Sequence, residues 1–259
     1  MTKNYSENLA PIEIKKLLRF WIWTQIWIHV LCGVCTLSFI FPFLDRESKD
    51  QKIQLWSKRL LTIFNIELVI HGSGLLEKIP RLIASNHISW LDIHVINTFQ
   101  PIRFVAKSEV AAWPIFGWMA KQLGTVFIRR DSARHARQVV GQMAEVLKTE
   151  SICIFPEGTS TIGEIALPFK SNLFESAIVA QVPVYPLAIR YISKSTGRRS
   201  DAPGFIGDMG LLESMSNIIQ NPPLLAQIII LAPYATNQIQ DVDRKILAAY
   251  CQESISKTL

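Results

Sequence analysis

Charge is missing from Phe20 to Leu44: the run "FWIWTQIWIHVLCGVCTLSFIFPFL" holds no Asp, Glu, Lys or Arg. Such a stretch excludes an ordinary solvent-facing helix. At about 25 residues, or roughly 37 Å as helix, it outreaches a hydrocarbon core of about 30 Å. It is too long for a signal-peptide core and has no evident small-residue cleavage site. Cysteine is scarce, with four in 259 residues, which excludes a disulfide framework and makes no demand for an oxidising compartment. Cys32 and Cys35 form a C-x-x-C inside the apolar run, with no second pair to complete a zinc site, and are expected to serve as apolar packing; Cys153 is expected in the core. Also absent are a G-x-S-x-G elbow, a Walker A loop and a G-x-G-x-x-G after a strand; "HGSG" at 71–74 fails each pattern.

What is present is apolar and basic at once: 49% hydrophobic residues with net charge +6, and mean hydropathy +0.23. That combination fits an anionic membrane surface or a phosphate-bearing substrate. Zinc-finger spacing, an aromatic RNA-binding signature and a long Lys/Arg run are all lacking, so no nucleic-acid partner is expected.

The apolar run is flanked by Lys15, Lys16 and Arg19 before and by Asp45 and Arg46 after, with Trp21, Trp23 and Trp27 crowded at one end, as interfacial aromatics are. Two arrangements are open. One is a single span; the other is a hairpin that enters one leaflet and returns through the amphipathic stretch carrying Ile53, Leu55, Trp56, Leu60 and Ile63. A buried helix of a soluble core is the third reading. Beyond residue 65 strand-like and helix-like segments alternate: seven apolar strands, from "IELVIHG" to "LLAQIIILAP", and helices of which residues 132–150 are the clearest, with Ser132 as N-cap candidate and Val139, Met143, Val146 and Leu147 on one face. The expected fold is α/β, a mixed, largely parallel sheet flanked by helices. The expected organisation is an N-terminal membrane-associated helical segment, 1–65, and an α/β domain, 66–259. Residues 195–210, rich in Gly, Pro and Ser, read as a loop.

"ASNHISWLDIH" at 84–94 sets His87 and Asp92 five positions apart. On one helix their side chains would diverge by roughly 140°. A strand ending near Asn86, followed by a helix with Ser89 as N-cap and Asp92 at its third position, places His87 in the turn above the helix start. Ser89 to Asp92 then forms a capping box, and the helix dipole favours a negative Asp92. An Asp holding one imidazole nitrogen leaves the other as a base. The alternative is that Asp92 only caps the helix; one carboxylate can serve both purposes. With no nucleophile motif in the chain, such a base would activate a hydroxyl brought by the substrate. "FPEGTS" at 155–160 follows a strand, and Gly158 there permits close approach of backbone N–H groups to an anion. Arg129 and Arg130 leave another strand end together, with Lys107, Lys121 and Arg134 as candidate neighbours, and suit phosphate binding or a solvated rim.

Asn86-His87-Ile-Ser-Trp-Leu-Asp92, Gly124 to Arg130, Phe155 to Thr159 and the strand "VPVYPLAI" together resemble, in order and spacing over residues 65–190, the motifs of the glycerolipid acyltransferase family, whose type member acylates 1-acylglycerol 3-phosphate. The resemblance implies that His87 deprotonates the free hydroxyl of a lysolipid, that Asp92 orients it, and that the alkoxide attacks an acyl thioester, acyl-CoA or acyl carrier protein, without an acyl-enzyme. It implies Arg130 near the acceptor phosphate, and Glu157, Gly158 and Thr159 shaping the acceptor site, with Asn86, Lys107 and Arg129 as further substrate-binding candidates. Neither a bound cofactor nor a metal is implied. The implied setting is phospholipid biosynthesis at the bacterial inner membrane, with the catalytic domain on the cytoplasmic face. Two departures bear on the head group: many relatives carry Arg where Ser160 follows Thr159, and position 129, often acidic, is Arg. Lysophosphatidic acid is the expected acceptor, a lyso-ornithine lipid or another lysophospholipid the alternative. A metal-dependent lipid hydrolase or phosphoesterase using His87, Asp92 and His94 is the reading from another class.

Overall fold

The computed structural model describes residues 16–129, 133–221, 223–236 and 243–259. The strands are β1 (Ile66–His71), β2 (Leu82–Ser85), β3 (Arg103–Lys107), β4 (Val126–Ile128), β5 (Ile152–Ile154), β6 (Val184–Ser193) and β7 (Leu224–Ile230). They form one sheet in the order β1-β7-β6-β2-β5-β3-β4. From β6 to β4 neighbours pair parallel, while β7 runs antiparallel to β6 and β1 parallel to β7. The expected mixed, largely parallel α/β fold is therefore the observed one. The carboxyl ends of β2, β5, β3 and β4 lie along one edge, where ligands of such sheets collect.

Period-two alternation assigns each strand residue to a layer. Leu82, Ala84, Ile152, Ile154 and Val184 face α5 (Ala133–Leu147), α6 (Glu175–Ala180) and α8 (Arg244–Ser256). Ile83, Cys153, Tyr185, Leu187, Ile189 and Tyr191 face the other layer: α3 (Leu91–Phe99), α7 (Leu211–Ile219), α2 (Arg46–Ile63) and part of α1 (Lys16–Cys35). In α5 the expected face is buried through Val139, Met143 and Leu147; the cap candidate Ser132 lies outside the described residues. Helix α7 follows the 195–210 loop and was not anticipated, because only Leu211, Met215, Ile218 and Ile219 announce it and a signal that short competes poorly with the Gly-rich stretch before it.

Helix α1 continues through a π turn (Thr36–Ile40) and a 3₁₀ turn (Phe41–Phe43) before the chain reverses. Asp45 then caps α2 by accepting from the Ser48 N–H at 2.8 Å. Ile26, Val30, Gly33 and Leu37 face the protein, whereas Leu17, Phe20, Trp21, Trp27, Ile28 and Leu31 are exposed. A helix apolar on both faces with its largest side chains outward is not the buried helix of a soluble core. Gly33 is where the two N-terminal helices touch: a Cβ there would stand 2.8 Å from the Trp56 indole nitrogen. Cys32 and Cys35 are free and exposed on α1, so they do not serve as interior packing; Cys153 is fully buried as expected.

Strand β6 outruns β2, and Asn86 manages the mismatch. Its side-chain amide donates to the Ile189 carbonyl at 3.0 Å and its side-chain oxygen accepts the Ile189 N–H at 2.8 Å. The amide thus fills the ladder position a longer β2 would have filled, which frees the main chain to turn. Only a side chain with donor and acceptor side by side does this. Asn86→Asp, which sets a carboxylate oxygen against the Ile189 carbonyl, is expected to cost about 2–3 kcal/mol, read as a lowered urea midpoint in detergent. Asn86→Ala should cost no more than that, and equal stability of all three proteins would contradict the strand-mimic role.

His94 sits on α3 with its ring against Trp56 and Trp90, at centroid distances of 5.2 and 5.8 Å. Its Nδ1 is buried without a hydrogen-bond partner among the described residues. Burial, and secondarily His29, lower its pKa to about 3 from an ordinary 6.5. Between those values the unfolded chain binds a proton that the folded chain does not, so stability falls as pH falls below about 6.5, by at most about 1.4 kcal/mol per pH unit. His94→Gln is expected to flatten the dependence of the urea midpoint on pH between about 6.5 and 4 relative to the parent. Parallel slopes would sink this account.

Candidate active site

At the end of β2 the turn 86–90 carries His87 back over the first turn of α3. His87 Nδ1 lies 2.8 Å from Asp92 Oδ2. The same oxygen accepts the Ile88 and Ser89 N–H groups at 2.7 and 2.9 Å. These are the orphan donors of a helix start, and the positive end of α3 supports the negative charge they hold. A carboxylate cannot donate, so Nδ1 carries the proton and Nε2 holds the lone pair. Asp92 is fully buried while the His87 side chain keeps 22% of its surface, and Nε2 has no hydrogen-bond partner among the described residues. Only half of the expected capping box forms: Asp92 reaches back to the Ser89 N–H, but the Ser89 hydroxyl has no partner among the described residues and Trp90 occupies the N-cap position. The Asp92 N–H, which the serine hydroxyl would have accepted in a full capping box, donates instead to the Ser89 carbonyl at 3.1 Å.

The second motif holds His87 from behind. The Phe155 ring stacks on the imidazole with centroids 4.1 Å apart. Glu157 Oε1 accepts the His87 backbone N–H at 2.7 Å, and Oε2 accepts the Leu167 N–H at 3.0 Å. Burial is the largest influence on Glu157 and pushes its carboxyl up; the two N–H groups work against it. Thr161 N–H donates to the His87 carbonyl at 2.8 Å. Gly158 adopts φ +78°, the left-handed turn that brings Glu157 under the histidine. Its own N–H is taken by the Phe155 carbonyl at 3.1 Å, and Thr159 is exposed. Glu157 therefore addresses the main chain of the histidine.

Lys107 ends β3 and pairs in register with Ile128 on β4, so Arg129 follows immediately beside it. Both are exposed and stand on the same sheet edge as His87, two and three strands away, or roughly 10 and 14 Å at ordinary strand spacing. Lys121, at the end of α4 (Phe116–Gln122), is exposed as well. Arg130 lies outside the described residues, and nothing is described of the Arg134 side chain. His94 is two residues past Asp92 but packs among the tryptophans, away from His87, and among the described residues no cluster of three metal-ligating side chains occurs.

One partner was missed by reading the sequence. Tyr191 OH donates to Asp92 Oδ1 at 2.8 Å. Tyr185, Leu187, Ile189 and Tyr191 of β6 face the layer that holds α3, and since Ser85 pairs with Leu187, Tyr191 lies beyond the end of β2, alongside the turn. Finding it requires knowing that β6 neighbours β2 and in which register.

With this geometry in view, residues 67–190 match the acyltransferase family. The lyso-ornithine lipid O-acyltransferase of Pseudomonas aeruginosa is 36% identical over 209 residues, covering 79% of this chain and 76% of its own length. The 1-acyl-sn-glycerol-3-phosphate acyltransferase of Neisseria meningitidis serogroup B is 35% identical over 216 residues, 81% of each chain. The fold is that of the 1-acyl-sn-glycerophosphate (LPA) acyltransferase of Thermotoga maritima, with TM-score 0.70 over 93% of both chains at 22% identity. Matching stretches of this length and identity lead to one assignment: the chain is an acyltransferase and belongs to the glycerolipid acyltransferase family.

Proposed function

We propose that this enzyme acylates the free hydroxyl of a lysolipid at a membrane surface, with 1-acylglycerol 3-phosphate as acceptor and an acyl thioester, acyl-CoA or acyl carrier protein, as donor. The observation that carries the reading is the Nε2 of His87, which has no hydrogen-bond partner among the described residues, while the other ring nitrogen is bound to a buried carboxylate. His87 Nε2 takes the proton of the acceptor hydroxyl as its oxygen attacks the thioester carbonyl. The C–O bond forms, the C–S bond breaks, and the departing thiolate takes the proton back from the imidazolium. Asp92 holds the tautomer and balances the transient charge. Lys107 and Arg129, exposed at the sheet edge, are assigned to the acceptor phosphate together with Arg130, which lies outside the described residues; Gly158 and Thr159 follow β5 at the same edge. Asn86 and Glu157 act on the backbone that carries His87.

The outward apolar face of α1 supports a bilayer as partner, with the catalytic domain on the cytoplasmic face of a bacterial inner membrane, where soluble thioesters are found. A lyso-ornithine lipid is the second reading, favoured by the P. aeruginosa relative, which matches as well as the N. meningitidis one.

The test is purified protein in vesicles, offered both lysolipids and both thioesters, with products read by mass spectrometry. Phosphatidic acid is the expected product, and acylation of lyso-ornithine lipid alone would transfer the assignment to the second reading. His87→Ala should lower turnover by about 10²–10⁴-fold; retention of more than about a tenth would remove His87 as base. Membrane attachment is tested by changing Phe20, Trp21 and Trp27 together to Ser. Each loses about 1.5–3 kcal/mol of apolar transfer, so the variant should leave the pelleted membrane fraction, and an unchanged distribution would exclude α1 as the anchor.

A further inference from the structure

Asp92 is usually considered through its contact with His87, but half of its hydrogen bonding to side chains comes from the other side. Oδ2 receives His87, Ile88 and Ser89, while among the described residues Oδ1 receives only Tyr191 OH, at 2.8 Å. Both Asp92 and Tyr191 are buried, so water does not compete for this bond. From the geometry we infer that Tyr191 is a positioning residue for the acyl transfer: its phenol fixes the rotation of the Asp92 carboxylate and, by drawing charge toward Oδ1, limits how strongly Asp92 stabilises the His87 imidazolium. The inference rests on the general-base reading given above.

Three observations support it. Tyr191 is the one side-chain donor to Asp92 other than His87 among the described residues. It comes from β6, whereas the remaining donors come from the turn 87–89, so it pins the carboxylate from a direction that the turn cannot supply. And the phenol stays a donor throughout the working range, because burial first and Asp92 second hold it well above the ordinary tyrosine value. A hydrogen bond to a carboxylate in such a dry setting is worth more than a neutral one.

The other titratable groups around this pair, among the described residues, are Glu157 and Cys153. The Glu157 carboxylate takes the His87 backbone N–H. Cys153 is fully buried on β5, and its thiol is held up by burial and by Asp92. Neither donates to Oδ1, so neither replaces the phenol.

Removing the phenol should leave more of the Asp92 charge to the imidazolium. The base then stays protonated to higher pH, and the acid limb of the kcat/KM–pH profile should move up. Tyr191→Phe is expected to raise that limb by about half a unit to one unit and to lower plateau kcat on the order of tenfold, with little change in acceptor KM. A purely structural tyrosine would lower the plateau and leave the limb in place, and that result overturns the inference. Should Tyr191→Phe fold poorly, 3-fluorotyrosine at position 191 serves instead. It is a stronger donor of nearly the same size, and it should move the limb down; a limb that stays or rises overturns the proposal. In an Asp92→Asn background, Tyr191→Phe should have no further effect on the limb, and an unchanged additional shift would show that Tyr191 acts elsewhere. If His87→Ala retains activity, the base assignment itself fails; if His87→Ala is inactive while the Tyr191 variants leave the limb unmoved, only the present inference does.

Discussion

The carboxylate of Asp92 is the point on which this structure turns. A charge with no solvent exposure is tolerated only where donors surround it, and here four hydrogen bonds converge on it from a turn, a helix start and a distant strand. Each source demands something of the fold. The N–H groups of Ile88 and Ser89 are available only because α3 starts there. The phenol of Tyr191 arrives only because β6 runs past the end of β2. The imidazole comes round only because Asn86 completes the ladder with its side chain and lets the main chain leave the sheet.

A second buried carboxylate works on the same histidine by different means. Glu157 binds the His87 backbone N–H and Asp92 binds the His87 ring, so the residue is gripped at both ends while Phe155 supports its flat face. A ring held this way has little freedom to lose when substrate binds, and orientation supplied in advance is a large part of what an active site contributes. This also gives the F-P-E-G stretch a physical reason to follow a strand next to β2: parallel pairing of β2 with β5 places the two strand ends side by side.

Much of this was legible in the residues. The strand-helix alternation gave seven strands their places in the chain, and the five-residue gap between His87 and Asp92 implied a junction between elements, which is what the turn at 86–90 supplies. What was not legible depended on strand order and register. Tyr191 looks like any aromatic in an apolar strand until β6 is known to lie beside β2. The antiparallel sense of β7 leaves no mark in a run such as "LLAQIII", because the alternation of buried and half-buried residues along it reads alike in either direction. The exposure of Cys32 and Cys35 was not legible either, because an apolar run does not say which of its faces meets the protein, and α1 turns most of its apolar surface outward.

Helix α3 joins the N-terminal helices to the turn that carries His87. It has nine residues, about 13 Å of rigid rod. Its first turn holds Asp92. At its other end the carbonyls of Thr98 and Phe99, left without partners as the helix stops, accept from the Gln54 side chain of α2 at 3.0 and 3.3 Å. Between the ends, Trp56 of α2 lies against His94 and also bonds the His29 carbonyl of α1. The helices that carry the outward apolar surface are thus fastened to the element that carries Asp92, by polar contacts at one end and aromatic packing along its length. A displacement of α1 is transmitted to Asp92 through one short helix. On the proposed membrane reading, the depth of α1 in lipid and the height of His87 above it would be set together, so that the lysolipid hydroxyl and the proposed base would meet at a fixed level.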